Sequence, residues 1–257
     1  MKHYEKYGVD KIFLYDNNDI DGENFEEVIN DYIKNGFVEV MNWRGEYRAM
    51  IKIMNDCYKR NYRYYDWLIF YEIDEHIFLY NYNSIKSFLD QPKYKRCQEI
   101  YLCLVCHTDN NLLYYEDKPL AERFPLKVPK TKLPGKRLEL KTIIRGHING
   151  VYITSVHIGD KTLKSCNSSG LHENFGQTKF LGDQKYYYID HYYSKSTEEF
   201  IQKVNRGDAY RKDPGYGRER IDKYFLQNEI TKEKIDMIEK GTLINLDFYR
   251  KKLNKFI

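Results

Sequence analysis

Near its amino end the chain reads Lys11-Ile-Phe-Leu-Tyr-Asp16, an apolar run that stops at the polar residues Asn17-Asn18-Asp19. A buried strand that reaches the edge of a sheet has this pattern. Beyond about Gly22, apolar residues recur at helical spacing as far as Asn35-Gly36, which predicts a helix with a glycine stop. The strand, the loop and the helix together predict a βα unit.

The same pattern repeats immediately downstream. Phe37 to Met41 predicts a second strand, Ala49 to Cys57 a second helix, and Asp66-Trp-Leu-Ile-Phe-Tyr71 a third strand. Strands that alternate with helices favour a parallel sheet flanked by helices, with ligands bound beyond the carboxyl ends of the strands. The third strand runs directly into Glu72-Ile-Asp-Glu75, so we expect three carboxylates at that end of the sheet.

The rest of the chain indicates a mixed sheet and a helical tail. Further strand-like runs cover residues 98–106, 139–145, 151–158 and 186–190. From Ser196 onward the chain is mostly helical, with stops at Gly207 and near Gly241. The sequence therefore predicts an α/β fold, with one domain over residues 1–210 and a helical extension over residues 211–257 packed on it.

Composition excludes several classes of protein. The 257 residues are 42% hydrophobic, which is too apolar for a disordered chain. The chain has 42 Lys and Arg residues and 38 Asp and Glu residues, so its net charge is only +4 and a nucleic-acid partner is not expected. The sequence has no apolar stretch of about 18 residues and its first ten residues are mostly polar, so we expect neither a transmembrane helix nor a signal peptide. Five cysteines favour buried thiols in a reducing compartment, so we predict a cytoplasmic protein.

The acidic segment after the third strand is the first candidate site. Carboxylates are costly to desolvate, so Glu72, Asp74 and Glu75 should lie at the mouth of the strand, where their oxygens could hold a divalent cation. A solvated acidic turn is the alternative interpretation.

A second candidate site lies near residue 191. His191 closes a predicted strand and precedes Ser196-Thr-Glu-Glu199, whose spacing predicts a capping box at the start of a helix. Free N–H groups at a helix amino end, together with the ammonium of Lys195, favour a phosphate-binding corner beside an imidazole. An ordinary capped helix after a strand is the alternative.

Five stretches of the chain, in order, resemble glycosyltransferase family 92 and its bacterial relatives in family 2. The matching stretches are Gly8 to Asn18, Tyr65 to Glu75, Leu113 to Pro119 with Glu122 to Phe124, Lys141 to Arg145, and His191 to Phe200. The resemblance covers residues 3 to 210. It implies a GT-A-like, Rossmann-like fold, with a mixed but mainly parallel sheet flanked by helices.

The resemblance also implies an activity. A sugar would move from a nucleotide-sugar donor, with UDP as the expected nucleotide, to a hydroxyl of a glycan or a lipid-linked acceptor, with inversion. Mn²⁺ or Mg²⁺ would neutralise the departing diphosphate, since charge develops on that group in the transition state. A non-catalytic nucleotide-sugar or glycan-binding relative is the alternative function.

Roles for individual residues follow from the resemblance. Asp74 would be a direct metal ligand, and Glu72 stands in the place of the family's first aspartate, although its side chain is one methylene longer. His191 would complete the metal shell and Lys195 would hold the diphosphate. His76 stands where the family has Phe and is left unassigned.

Two further roles rest on position in the chain. Asp16, Asn17 and Asn18, at the mouth of the first strand, are expected to contact the nucleotide. An inverting reaction needs a general base for the acceptor hydroxyl. Asp109 and Glu173 are the two candidates, and the alternative for both is a solvated loop carboxylate.

The chain departs from the family at its start, because the family's first strand is missing. Relatives have a strand and a helix before a Tyr-His step that corresponds to His3-Tyr4. Either the chain begins late in the fold, or the gap is filled by residues 242–257 or by a second copy in a homo-oligomer. The tail could also contact a membrane surface peripherally if the acceptor is lipid-linked.

Overall fold

The structure is a computed structural model that describes residues 1–129, 139–157, 159–172, 187–207 and 216–254. Its residues form two compact units. The first unit comprises Met1–Leu104 with Arg137–Ile189, and the second comprises Val105–Lys136 with Asp190–Ile257. These units are defined by spatial contacts rather than by family boundaries, so the predicted division at residue 210 stays a prediction.

Strands dominate the first unit and helices dominate the second. The described strands are β1 (Ile12–Asp16), β2 (Val38–Asn42), β3 (Trp67–Ile69), β4 (Glu75–Leu79), β5 (Glu99–Cys106), β6 (Leu140–Arg145), β7 (Ser165–Cys166) and β8 (Tyr187–His191). The described helices are α1 (Lys2–Lys6), α2 (Asn30–Lys34), α3 (Met50–Asn61), α4 (Ile85–Leu89), α5 (Leu120–Arg123), α6 (Thr197–Arg206), α7 (Tyr216–Gln227), α8 (Lys232–Thr242) and α9 (Asp247–Leu253). The carboxyl ends of β5 and β8 extend into the second unit.

The first two strands of the predicted βα units pair in parallel, but the third, β3, lies in another sheet and runs antiparallel to β6, and one helix is shorter than expected. β1 and β2 pair in parallel, with Phe13 opposite Glu39 and Tyr15 opposite Met41. The helix predicted from about Gly22 begins only at Asn30. Val28 is 85% exposed, so the apolar spacing there has no core to face. Helical periodicity forms a helix mainly where the apolar face is packed, and this one is not.

β1 and β2 form a sheet of two strands, and the other described strands form a second sheet, which is mixed as predicted. Its strand order is β3-β6-β5-β8-β4, with β7 beside β5. β3 and β5 each run antiparallel to β6, whereas β7 runs parallel to β5. The α/β class is therefore confirmed, while a mainly parallel GT-A sheet stays a prediction.

The strand predicted over residues 151–158 is wrong for its described part. Residues 151–157 form no strand. The side chain of Asn55 on α3 takes the place of a neighbouring strand, because its amide accepts from Ile153 N at 2.9 Å and donates to Ile153 O at 2.8 Å. An apolar run can be buried in this way without joining a sheet.

A buried carboxylate holds the following segment against the sheet. Glu99 on β5 is fully buried and accepts hydrogen bonds from Gly159 N at 2.7 Å, Tyr101 Oη at 2.8 Å and Ser165 Oγ at 3.0 Å, and from the hydroxyl of Thr142. A Cβ added to Gly159 would lie 2.3 Å from Glu99 Oε1. Only glycine therefore lets the backbone approach this carboxylate.

The prediction that all five cysteines are thiols is wrong. Cys97 and Cys166 form a disulfide that joins the segment before β5 to β7, across 69 residues of chain. Cys57, Cys103 and Cys106 remain thiols. Disulfides persist mainly in oxidising compartments, so the cysteines no longer support the predicted cytoplasmic location.

The second unit confirms the predicted helical tail. Ser196 and Glu199 form the predicted capping box at the start of α6, and α6 ends at Gly207 as predicted. Helices α6, α7, α8 and α9 share one apolar core. The buried members of that core are Phe200, Val204, Ile221, Tyr224, Phe225, Ile235, Ile238, Leu246 and Tyr249.

Residues 242–257 do not supply a replacement strand in their described part. After α8 the chain turns at Leu243, and Asp247 to Leu253 forms α9. Leu246 and Tyr249 pack into the core of the second unit, whereas Phe248 is 62% exposed. Because the apolar residues have helical spacing and pack as a helix, this candidate for the missing strand is wrong. A second copy of the chain stays an open prediction.

Candidate active site

The predicted acidic segment forms the turn between β3 and β4. Glu75 opens β4, and its backbone N–H donates to Glu72 O at 3.0 Å, while its carboxylate accepts from Glu72 N at 3.0 Å. Asp74 is 7% exposed, whereas Ile73 is 79% exposed at the tip of the turn. The carboxylates thus lie at the end of an apolar strand, as predicted.

A lysine that the site prediction omitted pairs with two carboxylates of this turn. Lys141 on β6 lies with its Nζ 2.7 Å from Glu72 Oε1 and 2.9 Å from Glu75 Oε1. The side chains of Lys141 and Glu75 are 3% and 0% exposed, whereas that of Glu72 is 42% exposed. Lys141 is a charged residue within the largely buried strand β6, which was the sequence signal for such a pairing. Glu72 is therefore engaged in an ion pair, which reduces its capacity as a metal ligand.

Burial and pairing shift the protonation of this cluster. Burial raises the pKa of Glu75 from 4.5 to about 7, with Lys141 opposing the shift and Glu72 adding to it. Burial acts to lower the pKa of Lys141, but attraction to Glu75 and Glu72 outweighs it and raises that pKa above 10.5. The lysine therefore stays charged and offsets part of the negative charge of the turn near neutral pH.

Glu75→Gln is expected to flatten the pH dependence of stability between about pH 4.5 and pH 7. The folded protein keeps the Glu75 proton up to about pH 7, whereas the unfolded chain releases it near 4.5. The folded state binds more protons in this window, so this group makes the free energy of unfolding fall as the pH rises. Urea midpoints at several pH values measure the slope, and an unchanged slope in the variant would contradict the prediction.

Helix α1 packs against the start of β4. His3 Nε2 hydrogen-bonds to Ile77 O at 3.0 Å, and Tyr4 Oη donates to Glu75 O. The rings of His3 and His76 stack with centroids 4.9 Å apart. His76, which the sequence left unassigned, thus has a ring partner that accounts for its position.

The side chains predicted to contact the nucleotide hold two loops together. Asp16 is 5% exposed, and its carboxylate accepts from Arg44 Nε at 2.5 Å and from Asn18 N at 3.1 Å. Asn17 Nδ2 donates to Trp43 O and to the backbone carbonyl at residue 46, each at 2.9 Å. The loops after β1 and β2 are thereby fixed at adjacent strand ends, and nucleotide contact stays a prediction.

Asp109, one candidate for the general base, lies in a buried network of the second unit. Its carboxylate is 2.6 Å from Lys234 Nζ and accepts from Tyr224 Oη at 2.5 Å, and its backbone N–H donates to Asn228 Oδ1 at 2.7 Å. The side chains of Asp109 and Lys234 are 2% and 1% exposed. Burial, reinforced by the charge of Asp109, raises the pKa of Tyr224, so its hydroxyl stays a donor. These surroundings favour a structural role. Glu173, the other candidate, lies outside the described residues.

The free N–H groups expected at the amino end of α6 are already occupied. Thr197 N donates to Leu112 O at 3.0 Å and Glu198 N donates to Leu113 O at 2.9 Å. Glu199 N donates to the Ser196 side chain at 3.3 Å. The prediction of a phosphate site built on these N–H groups is therefore wrong, because the loop before α5 fills it. Binding of a diphosphate by Lys195 stays a prediction that rests on its ammonium alone.

An ion pair accounts for one stretch of the family resemblance. Arg123 on α5 forms two hydrogen bonds with the carboxylate of Glu199, at 2.7 and 3.2 Å. Its guanidinium also lies 4.8 Å from the centroid of the Tyr115 ring. A buried bidentate pair of this kind fixes the loop against the first turn of α6. Arg123 lies within a family-like stretch, but no local pattern indicated Glu199 as its partner.

His191 ends β8 in the second unit and is 7% exposed. One of its ring nitrogens lies within 4.8 Å of the thiol of Cys106, which ends β5. Glu72 and Asp74 belong to the first unit, so an ion shared with His191 stays a prediction. Within the described part of the first unit, no three His, Cys, Asp or Glu side chains bring ligand atoms within 4.8 Å of one another.

The comparisons with known proteins identify the class. Residues 1–157 match the family model of glycosyltransferase family 92, which covers more than half of the chain. The chain therefore belongs to glycosyltransferase family 92. No curated protein matches it. Membership implies transferase activity with a sugar donor and an acceptor as partners, as the sequence resemblance predicted.

In the described ranges of the chain, no helix has both the length and the apolar character needed to cross a bilayer. Peripheral membrane contact by the tail stays a prediction.

Proposed function

We propose that this protein is a metal-dependent glycosyltransferase that moves a sugar from a UDP-sugar to a hydroxyl of a glycan acceptor, with inversion. The carrying observation is Asp74, a carboxylate only 7% exposed in the turn that follows the apolar strand β3. A carboxylate withdrawn from solvent at a strand end is a strong candidate ligand for a cation at a substrate site. Family membership supports the class of reaction.

The residues present fit a cation that is held jointly with substrate. Mg²⁺ is usually bound through one or two carboxylates plus substrate phosphates, and Mn²⁺ also prefers oxygen ligands. The first unit offers Asp74 as such a carboxylate, with Glu72 turned to Lys141. His191 would complete the shell. The bound ion would stabilise the negative charge that develops on the diphosphate.

The chain's own residues would perform the remaining steps. The acceptor oxygen attacks the anomeric carbon, the bond from that carbon to the diphosphate oxygen breaks, and the hydroxyl proton passes to a general base. Lys195 would hold the diphosphate, and the loop Asp16 to Asn18 would contact the nucleotide. Asp109 is engaged by Lys234 and Tyr224, so Glu173 is the better candidate for the base.

Asp74→Asn is expected to lose Mn²⁺-dependent binding of UDP while the fold stays intact. Replacing the carboxylate by an amide removes the negative ligand at nearly constant volume. Calorimetry with UDP, GDP and CMP, each with and without Mn²⁺, measures the effect, and thermal unfolding checks the fold. Asp66→Asn, at the exposed opposite end of β3, is the matched control and should bind as the wild type does. Unchanged UDP binding in Asp74→Asn would contradict the site.

A second candidate function is a non-catalytic nucleotide-sugar or glycan-binding relative. The ion pair between Glu72 and Lys141 favours it, because Glu72 is drawn away from the role of the family's first aspartate. Metal-dependent binding of UDP without transfer or hydrolysis of any UDP-sugar would support this function over catalysis.

A further inference from the structure

A groove of about 380 Å³ lies on one face of the β1–β2 sheet in the first unit. Its floor is formed by alternate residues of the two strands, because Phe13 is opposite Glu39 and Tyr15 is opposite Met41. Its wall is formed by the end of α3 and the residues that follow, including Asn61 and Tyr64. The volume falls within the range of small-ligand sites. No residue of the acidic turn lines this groove.

The side-chain amide of Asn61 in the groove is fixed in orientation. Asn61 is 8% exposed, and its Nδ2 donates to Cys57 O at 2.9 Å. This bond directs the amide so that Oδ1 is left as an acceptor, and Oδ1 has no hydrogen-bond partner in the described ranges. An amide oxygen without a partner in the protein can accept a hydrogen bond from a ligand. The residue lines the groove, so a ligand hydroxyl is a suitable donor.

The groove also presents aromatic surface to solvent. Tyr64 is 77% exposed, although it belongs to the wall of a concave site. Tyr65 meets the Phe13 ring edge-on, with centroids 5.7 Å apart. Aromatic faces offer a large apolar area with a polar tip. A ligand with one apolar face and a rim of hydroxyl groups matches this lining.

The charges of the groove are nearly balanced. Lys11 Nζ lies 2.7 Å from Glu39 Oε2, and Arg60 Nε lies 3.8 Å from Asp56 Oδ2. Each cation therefore has an anion beside it, and a phosphate would meet the carboxylate of Glu39. These charges favour a neutral ligand over a nucleotide or a nucleic acid.

We propose that this groove binds a neutral saccharide, with a sugar ring stacked on Tyr64 and a hydroxyl donating to Asn61 Oδ1. A pyranose combines an apolar C–H face with hydroxyl donors, as the lining requires. The physiological role of the groove, to hold part of the acceptor glycan away from the reacting end, rests on the proposed function. The binding itself does not.

The test uses the full chain and a panel of free trisaccharides built from glucose, galactose, mannose or N-acetylglucosamine. Saturation-transfer NMR detects binding and titration gives the dissociation constant. We expect at least one member to bind in the millimolar range or tighter, and Tyr64→Ala and Asn61→Leu to weaken it at least tenfold. Tyr152→Ala, which removes another exposed tyrosine of the first unit, is the matched control and should leave it unchanged.

The outcomes separate this proposal from the proposed function. Absence of binding across the panel, or equal binding by Tyr64→Ala and the wild type, overturns the saccharide site. Because Tyr64 is exposed, its replacement tests the site without risk to the fold, which thermal unfolding verifies. Asp74→Asn should keep saccharide binding while it loses UDP binding. If the wild type binds saccharide but binds no UDP-sugar, the saccharide site stands and only the transferase proposal is rejected.

Discussion

Lys234→Met is expected to lower the free energy of unfolding by about 3–5 kcal/mol, which is the cost of removing one partner of a buried ion pair. Lys234 Nζ lies 2.6 Å from Asp109 Oδ2 and donates to Asn111 Oδ1 at 2.7 Å. Methionine fills the same volume but leaves the Asp109 carboxylate buried without a cation. Because the network joins α7 and α8 to the loop after β5, its loss should loosen the whole second unit.

Urea unfolding followed by circular dichroism measures this effect. Lys232→Met is the matched control, because Lys232 pairs with Asp236 on the same helix but its side chain is 73% exposed. Exposed pairs contribute little, so the control should unfold at the wild-type midpoint. Asp109→Asn combined with Lys234→Met should recover part of the stability, since no buried charge is then unpaired. Equal midpoints for Lys234→Met and Lys232→Met would show that the buried pair is not a stabilising contact.

Lys141→Met is expected to destabilise the first unit by a similar amount, about 3–5 kcal/mol. Lys141 is the cation between Glu72 and Glu75, and the Glu75 side chain is 0% exposed. Without Lys141 the Glu75 carboxylate can avoid burial of an unpaired charge only by keeping its proton. The loss of stability should therefore be smaller at pH 5 than at pH 8, where an unfolded chain gains by releasing that proton.

Urea midpoints at the two pH values test this dependence. Lys86→Met is the matched control, because Lys86 pairs with Asp10 at 2.7 Å but the two side chains are 63% and 58% exposed. The double variant Glu75→Gln with Lys141→Met should regain stability at pH 8. A loss that is equal at both pH values would indicate that packing of the Lys141 side chain, rather than its charge, stabilises the turn.

Several residues within the family-like stretches form ion pairs with other parts of the chain. Arg123 binds Glu199, Lys141 binds the acidic turn, and Asp16 binds Arg44. Each partner comes from another part of the chain, so these contacts fix segments relative to one another. The family resemblance at these positions therefore reflects ion pairs that stabilise the fold around the site as well as residues that would take part in the reaction.

The elements that sequence analysis predicted correctly depend on local interactions. The apolar run at Lys11 to Asp16, the capping box at Ser196 and the stop at Gly207 involve residues within a few positions of one another. The predictions that were wrong required a distant partner to be known. The helix expected from Gly22 would have required a core to pack against. The run from Val151 would have required a neighbouring strand, but the side chain of Asn55 lies there instead.

The sequence by itself determined the α/β class, the family and the placement of the acids Glu72 to Glu75 after a strand, because periodicity, capping and motif order are written in neighbouring residues. Only the tertiary structure decided which charges meet. Lys141 reaches Glu72 across 69 residues, Lys234 reaches Asn111 across 123, and Cys97 bonds to Cys166 across 69. Burial makes such pairings strong by removing water, and burial is a property of the packed chain that no local pattern contains.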